Sequence, residues 1–293
     1  MKVLNFGSLN YDYVYQVDHI IVGGETQASI RMETHLGGKG FNQSVALAKA
    51  GLEVYHAGSL GEEGQLFLDA CKEYGVKTKY IRQIPGKSGH TIIQVDKNAQ
   101  NCIILFGGAN RSQTKEFVDH VLEGFEKGDY ILLQNEINEI DYIIEKAYEK
   151  GMVIVLNPSP YDANLKGCDF QKVSVFLLNE IEGEMMTGEK EPERILEILK
   201  NEYSSAKVVL TLGTEGAYYQ DEEQKVFQKA YPVKAVDTTA AGDTFTGYFI
   251  AGMMAQMPIE KIMERCARAS SIAVSREGAA GSIPTVDEVA ASE

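Results

Sequence analysis

Residues Tyr130 to Leu156 read YILLQNEINEIDYIIEKAYEKGMVIVL. Tyr130–Leu133 is a short apolar run of aromatic and branched side chains, the pattern of a strand buried on both faces. Ile140–Lys150 is longer and amphipathic, the pattern of a helix. Gly151 follows it at once, and glycine takes the left-handed conformation that ends a helix more cheaply than any other residue. Met152–Leu156 is a second strand. Strand, helix, glycine and strand in so little chain is one unit of a parallel sheet with a crossover helix.

The same unit recurs on either side. Val3–Phe6, Val54–Ser59, Val175–Leu178 and Val208–Leu212 read as strands. Asn42–Ala50 before Gly51, and Gln65–Tyr74 before Gly75, read as helices. The expected fold class is α/β: a doubly wound, mostly parallel sheet flanked by helices. Two regions break the rhythm, approximately 11–36 and 87–105. Both alternate like half-buried strands, with no helix between. His90–Asp96, a polar turn at Lys97–Gln100 and Asn101–Leu105 form a hairpin pattern. These pieces are expected to build a small β-sheet lid on a single domain spanning 1–293.

The chain has 293 residues, of which 44% are hydrophobic and 24% charged, enough apolar content for a substantial core. Its net charge of −14 argues against nucleic acid or an anionic membrane as its main partner. The four cysteines, Cys71, Cys102, Cys168 and Cys266, form no C-x-x-C pair or zinc spacing, as expected of a protein in the reducing cytoplasm. The N-terminal apolar stretch is short and broken by Asn5, unlike a signal peptide, and no run is long enough to span a membrane.

Three stretches could carry chemistry. In Val236-Asp237-Thr238-Thr239-Ala240-Ala241-Gly242-Asp243, small residues lead into an apolar helix reaching about Met254. The free N–H groups of a first helical turn, at the positive end of the helix dipole, suit a phosphate. Asp243 in that turn is either a base beside the phosphate or a carboxylate that merely complements the dipole. His35-Leu36-Gly37-Gly38-Lys39-Gly40-Phe41-Asn42-Gln43 is a Gly-rich turn opening a helix. It fails the Walker A template, because Gly40 stands where Ser or Thr should follow the lysine. It either approaches a polyhydroxyl ligand, with Lys39 and Asn42 as hydrogen-bond partners, or is an ordinary tight turn. Thr211-Leu212-Gly213-Thr214-Glu215-Gly216 and Asn179-Glu180-Ile181-Glu182 both follow strands, where open sheets bind ligands.

Taken in this order, these elements resemble the ribokinase-like (PfkB) carbohydrate kinase family over essentially the whole chain. Gly37–Gln43 is similar to its N-terminal signature and Asp237–Asp243 to its C-terminal one. The resemblance implies an ATP-dependent sugar kinase with Asp243 as base and an anion hole at Ala240, Ala241 and Gly242. Within the family the ribokinase branch is most alike, which implies transfer to the 5-hydroxyl of D-ribose. Sugar contacts would then come from Asn10, Asp12, Gly38, Lys39, Asn42, Glu136 and Asp243.

The nucleotide would lie against Asn179, Thr211, Leu212, Gly213, Thr214, Glu215, Gly216, Gly242 and Asp243. Glu182 would act through magnesium and its waters. Asp237, Thr239, Ala273, Arg276, Gly278 and Ser282 match a potassium site, whose oxygen ligands suit a hard cation. The family likeness also implies a homodimer joined through the lid. Phe41, Ala267 and the tyrosines Tyr11, Tyr13 and Tyr15 depart from the common pattern. The alternatives are the same fold serving fructose, a deoxysugar or a nucleoside, and, more remotely, a non-enzymatic sugar-binding protein.

Overall fold

The stretch Tyr130–Leu156 forms two parallel strands joined by a helix, paired from Tyr130 with Val153 to Gln134 with Asn157. The computed structural model describes residues 1–98 and 100–292. Its strands are β1 (Val3–Phe6), β2 (Asn10–Gln16), β3 (Arg31–Gly37), β4 (Val54–Leu60), β5 (Lys77–Gln83), β6 (Gly89–Val95), β7 (Asn101–Phe106), β8 (Tyr130–Gln134), β9 (Val153–Asn157), β10 (Val175–Asn179), β11 (Lys207–Thr211), β12 (Gly216–Gln220) and β13 (Lys225–Lys229). The α-helices are α1 (Lys39–Lys49), α2 (Gln65–Glu73), α3 (Lys115–Leu122), α4 (Ile140–Glu149), α5 (Glu180–Thr187), α6 (Pro192–Glu202), α7 (Ala241–Met254), α8 (Ile259–Val274) and α9 (Val286–Ala290).

The main sheet has nine strands in the order β13-β12-β11-β10-β9-β8-β1-β4-β5. All its pairs are parallel except those made by β12 and β13, an antiparallel edge. Strands β1 and β8 are buried along their whole length, which is why they read as unbroken apolar runs. Successive side chains still point to opposite faces. Val3, Leu132, Val155 and Val209 join the core under α1, α7 and α8. Leu4, Ile131, Ile154 and Val208 join the core under α3, α4 and α6.

From β1 the chain runs outward through β4 and β5, then returns to β8 on the other side of β1. Crossovers therefore leave in opposite directions from β1 and β8, and a crevice opens at the carboxyl ends there. Gly7, Asn135, Asn157, Asn179 and Thr211 lie at or just beyond those ends.

The second sheet has the order β3-β2-β6-β7. It is the small accessory sheet expected from residues 11–36 and 87–105. Its centre, however, is a parallel pair, β2 with β6, which hairpin reading alone does not anticipate. The expected turn at Lys97–Gln100 includes Ala99, which lies outside the described residues, as does Glu293 at the end of the expected domain. Helix α1 starts at Lys39, three residues before the expected Asn42, because Gly38 at φ 90° turns the chain straight into it. Among the described residues no helix is long and apolar enough to cross a membrane.

Candidate active site

Asp243 lies in the first turn of α7 and is almost fully buried, at 6% exposure. Its Oδ1 accepts a hydrogen bond from Gln43 Nε2 (2.9 Å) and its Oδ2 one from Asn42 Nδ2 (3.2 Å). Both donors come from α1, so the two helix starts identified in the sequence meet at this carboxylate. Burial pushes the Asp243 carboxyl above the ordinary range, while the Lys39 charge and the two amide donors pull it back.

The α7 turn has a divided backbone. Ala240 is its cap and is buried. The Ala241 N–H donates to the Thr238 carbonyl (3.2 Å) and the Thr244 N–H to the Ala240 carbonyl (2.9 Å). Gly242 and Asp243 lie between them, where a first turn leaves N–H groups without helical acceptors. A methyl group added at Gly242 would meet no atom within 4 Å, so the space above this turn is open.

Around α1 the packing is the reverse. A methyl group on Gly40 would lie 2.2 Å from the Ser8 nitrogen, so only glycine lets the loop after β1 cross the helix start. Glu136, just beyond β8, ties that crossing together: its Oε2 accepts from the Ser8 hydroxyl and from the Lys39 N–H (2.9 Å). Burial raises the Glu136 carboxyl, against the lowering effects of Ser8 and Lys39, and the Asp243 charge adds to the rise. On β2, Asn10 Oδ1 accepts from Asn110 Nδ2 (2.8 Å), and Asp12 accepts from the Thr91 hydroxyl on β6. Burial raises Asp12 as well.

The departures from the family pattern sort themselves by position. Phe41 faces away into the core, edge-on to Phe67 at 5.2 Å, so it does not line the crevice. Tyr11 also packs on Phe67 and donates its hydroxyl to the Glu63 carbonyl (2.9 Å). Ala267 does line a cleft, described next.

Two cavities with shared lining residues lie beside the start of α7. The smaller is lined by Lys39, Asn157, Asn179, Glu182, Gly242 and Asp243 among others. The larger shares Asn179, Thr211 and Gly242 with it and continues past Gly213, Thr214 and Gly216 to Ala267 on α8. Leu212 instead points into the core, and Glu215 is exposed at the loop surface. Glu182 is buried and closes a capping box with Asn179: its Oε2 accepts the Asn179 N–H (2.8 Å). Among the described residues no cluster of three His, Cys, Asp or Glu could cage a metal.

The segments expected to bind potassium are neighbours. Asp237 accepts from the Thr239 N–H (2.9 Å) with one oxygen and from the Gly278 N–H (3.2 Å) with the other. The Asp237 and Val236 N–H groups both reach the Val274 carbonyl, next to Ala273. Arg276 turns outward to Glu288 (2.6 Å), and the buried Ser282 donates to the Ala279 carbonyl (2.8 Å). From α1, Lys49 Nζ donates to the Ile283 and Ala280 carbonyls (2.6 and 3.3 Å), holding this loop to the helix.

Several residues at the site have no role assigned from sequence: Ser8, Gln43, Gln134 and Asn157. For Gln134 and Asn157 the signal was a polar residue at the carboxyl end of an apolar strand, after Leu133 and after Leu156; Gln43 lies inside the Gly-rich turn's helix start and Ser8 just past β1.

Asp243 is thus a buried carboxylate on the smaller cavity, which shares Asn179, Thr211 and Gly242 with the larger cleft, an arrangement compatible with phosphoryl transfer to an alcohol. The chain belongs to the pfkB family of carbohydrate kinases, whose sequence model matches residues 1–286, and it is an ATP-dependent sugar kinase. It is 32% identical to the ribokinase of Bacillus subtilis over 287 residues, covering 97% of this chain and 96% of that one. It is 28% identical to the deoxyribokinase of Salmonella typhi over 301 residues, covering 98% and 97%. The solved structure of Arabidopsis thaliana ribokinase complexed with ribose and ATP superposes with a TM-score of 0.89 at 27% identity, covering 99% of this chain and 97% of that one.

Proposed function

We propose that this kinase transfers the terminal phosphoryl group of ATP to the 5-hydroxyl of D-ribose, with Asp243 as general base. The observation that carries the reading is the position of Asp243, buried where the polar pocket meets the cleft. Around it we read Asn10, Asp12, Glu136, Lys39 and Asn42 as the sugar contacts: Asn42 bonds Asp243, Glu136 accepts from the Lys39 N–H, and Asn10 and Asp12 lie on β2 of the small sheet. A pocket of this kind suits several hydroxyls at once, and a missing hydroxyl leaves buried partners unpaired at about 1–3 kcal/mol each.

The sugar sits between the strand ends and the small sheet, which closes over it and excludes water that would compete as acceptor. Asp243 takes the proton from the hydroxyl as that oxygen attacks the terminal phosphorus in line. The N–H groups of Gly242 and Asp243 face the charge on the transferring group. The nucleotide follows the Thr211–Gly216 loop, its base in the slot beside Ala267.

Glu182, which lines the smaller cavity, would hold a magnesium ion through its waters rather than as part of a side-chain cage. When bound, it neutralises charge between the phosphates. Asp237 and the carbonyl-rich 273–282 loop offer the oxygen ligands a potassium ion takes, which would stiffen the turn leading to Gly242. The edge strand β7 exposes Ile103, Ile104, Leu105 and Phe106 together. We read this edge as covered by a second copy, since exposed apolar edges otherwise aggregate. A monomer at micromolar concentration in sedimentation experiments would remove that part.

The test is a coupled ADP-release assay over D-ribose, 2-deoxyribose, fructose and nucleosides. D-ribose is expected to give the highest kcat/KM. Preference for 2-deoxyribose, in line with the likeness to the Salmonella deoxyribokinase, would replace ribose and leave the kinase standing.

A further inference from the structure

Beneath the site runs a buried chain of polar side chains that substrate contact does not account for. Gln43 Oε1 accepts from Gln134 Nε2 (2.6 Å), and the same Gln134 nitrogen donates to Asn5 Oδ1 (2.9 Å). Asn5 Nδ2 in turn donates to the Gly40 carbonyl (2.6 Å) and to the Ser44 hydroxyl (2.8 Å), which bonds His56 Nδ1 (2.8 Å). Asn5, Gln43, Ser44, His56 and Gln134 are all at 0–1% exposure. They come from β1, β4 and β8 and from α1, in the middle of an otherwise apolar packing layer. Burying so many polar groups is costly even when they are paired, and Gln134 Oε1 is buried with no hydrogen-bond partner, so the arrangement is poorly explained by stability alone.

Its polarity is one-directional. Because Gln43 Oε1 is held by Gln134, Gln43 Nε2 must face Asp243. Because Asn5 Oδ1 accepts from Gln134, Gln134 must present its nitrogen to Gln43. A flip of either amide would set a carbonyl against a carboxylate or against another carbonyl. The Gln43 nitrogen also reaches Asn157 Oδ1 (3.3 Å) at the end of β9, which pins it from a second side.

We infer that Gln43 is a positioning residue for the reaction: fixed by Gln134 and Asn5, it holds Asp243 Oδ1 at 2.9 Å, so that Oδ2, which accepts the longer bond from Asn42 (3.2 Å), is the oxygen presented to the acceptor hydroxyl. This rests on Asp243 being the base. Gln43 takes no proton and touches no phosphate. It anchors one carboxylate oxygen and favours the ionised form against burial. Three further charged groups face the same space: Lys39 from α1 favours the carboxylate, Glu136 beyond β8 opposes it, and Glu182 of α5 shares the cavity.

The test is Gln43→Met, close in shape but without the donor, compared with Gln134→Met and Asp243→Asn in full kinetic and pH profiles. Losing a donor to the ionised form raises the Asp243 pKa further. The acid limb of kcat should therefore move to higher pH, by about one unit. Plateau kcat should fall about 5- to 50-fold through misorientation. KM for ribose and ATP should stay within about twofold, as expected for a residue outside substrate contact.

Gln134→Met should shift the limb the same way by a smaller amount, since Gln43 keeps its donor but loses its anchor. If Gln43→Met does not fold, Gln43→Glu keeps the shape and places a second carboxylate beside Asp243, which must raise the limb more. A folded Gln43→Met with lower melting temperature but unchanged limb and plateau makes the chain a packing feature and overturns the inference. If Asp243→Asn itself stays active, the base assignment fails. If Asp243→Asn is inactive and Gln43→Met normal, only the positioning role fails.

Discussion

The two helix starts that meet at Asp243 are built on opposite principles. At α1 the chain is crowded: Gly40 has no room for a methyl group, and Ser8, Asn42, Gln43 and Glu136 are engaged through their side chains. At α7 the turn is open: Gly242 faces empty space, with only small neighbours at Ala240 and Ala241. A sugar has hydroxyls at fixed angles and needs side chains in fixed rotamers. A phosphoryl group carries diffuse charge and is met as well by backbone N–H groups. The α1 side should therefore be sensitive to side-chain chemistry, and the α7 side to backbone access, with Asp243 the exception.

That exception gives the largest expected effect. Asp243→Asn keeps size and local hydrogen bonding but cannot take a proton, so kcat should fall about 10²- to 10⁴-fold. Ribose and ATP affinity, measured by calorimetry, should change far less. A variant within about fivefold of the parent is well short of that loss and would place the base elsewhere.

The paired glycines come next and set the two starts directly against each other. Gly40→Ala should destabilise the fold by about 1–3 kcal/mol, since the backbone itself must shift. Gly242→Ala should leave the melting temperature nearly unchanged yet lower kcat/KM for ATP by about tenfold or more, as a methyl group fills the phosphate space. Equal losses of stability in both variants would break the contrast.

The smallest effect concerns the cation. Replacing sodium by potassium at constant ionic strength should raise the rate a few-fold, through the loop that carries Asp237. Equal rates in both salts, at low and saturating ribose, would remove the potassium site from the account.

Much of this was legible in the sequence for a physical reason. Doubly buried parallel strands must be apolar, and helices over them must stop, so runs such as Tyr130–Leu133 and stops such as Gly151 announce themselves. The signature turn at Gly37–Gln43 was legible because the tight approach at Gly40 demands glycine. What stayed hidden depends on distant pairing. The parallel partnership of β2 with β6 leaves no local mark; the exception is the β12–β13 edge, a local hairpin whose turn is closed by the Asp221 side chain on the Glu223 and Gln224 N–H groups, which the strand pattern alone did not single out. In the loop after β11, Leu212 and Glu215 share a motif with Thr211, Gly213, Thr214 and Gly216 but do not line the cleft with them. A motif read as a string does not say which side of the turn each residue faces. Asn5 looks like an interruption of an apolar run and Gln134 like the end of one, until the fold stacks them under α1.

The kinase reading with ribose as acceptor stands or falls on where the phosphoryl group of ATP ends up. The most direct measurement is phosphorus and carbon NMR of the product formed from isotopically labelled D-ribose and ATP, with ADP counted alongside. The account predicts ribose 5-phosphate in equal amount to ADP. Phosphate on another hydroxyl of ribose, or ADP released with free phosphate and unchanged sugar, would contradict it.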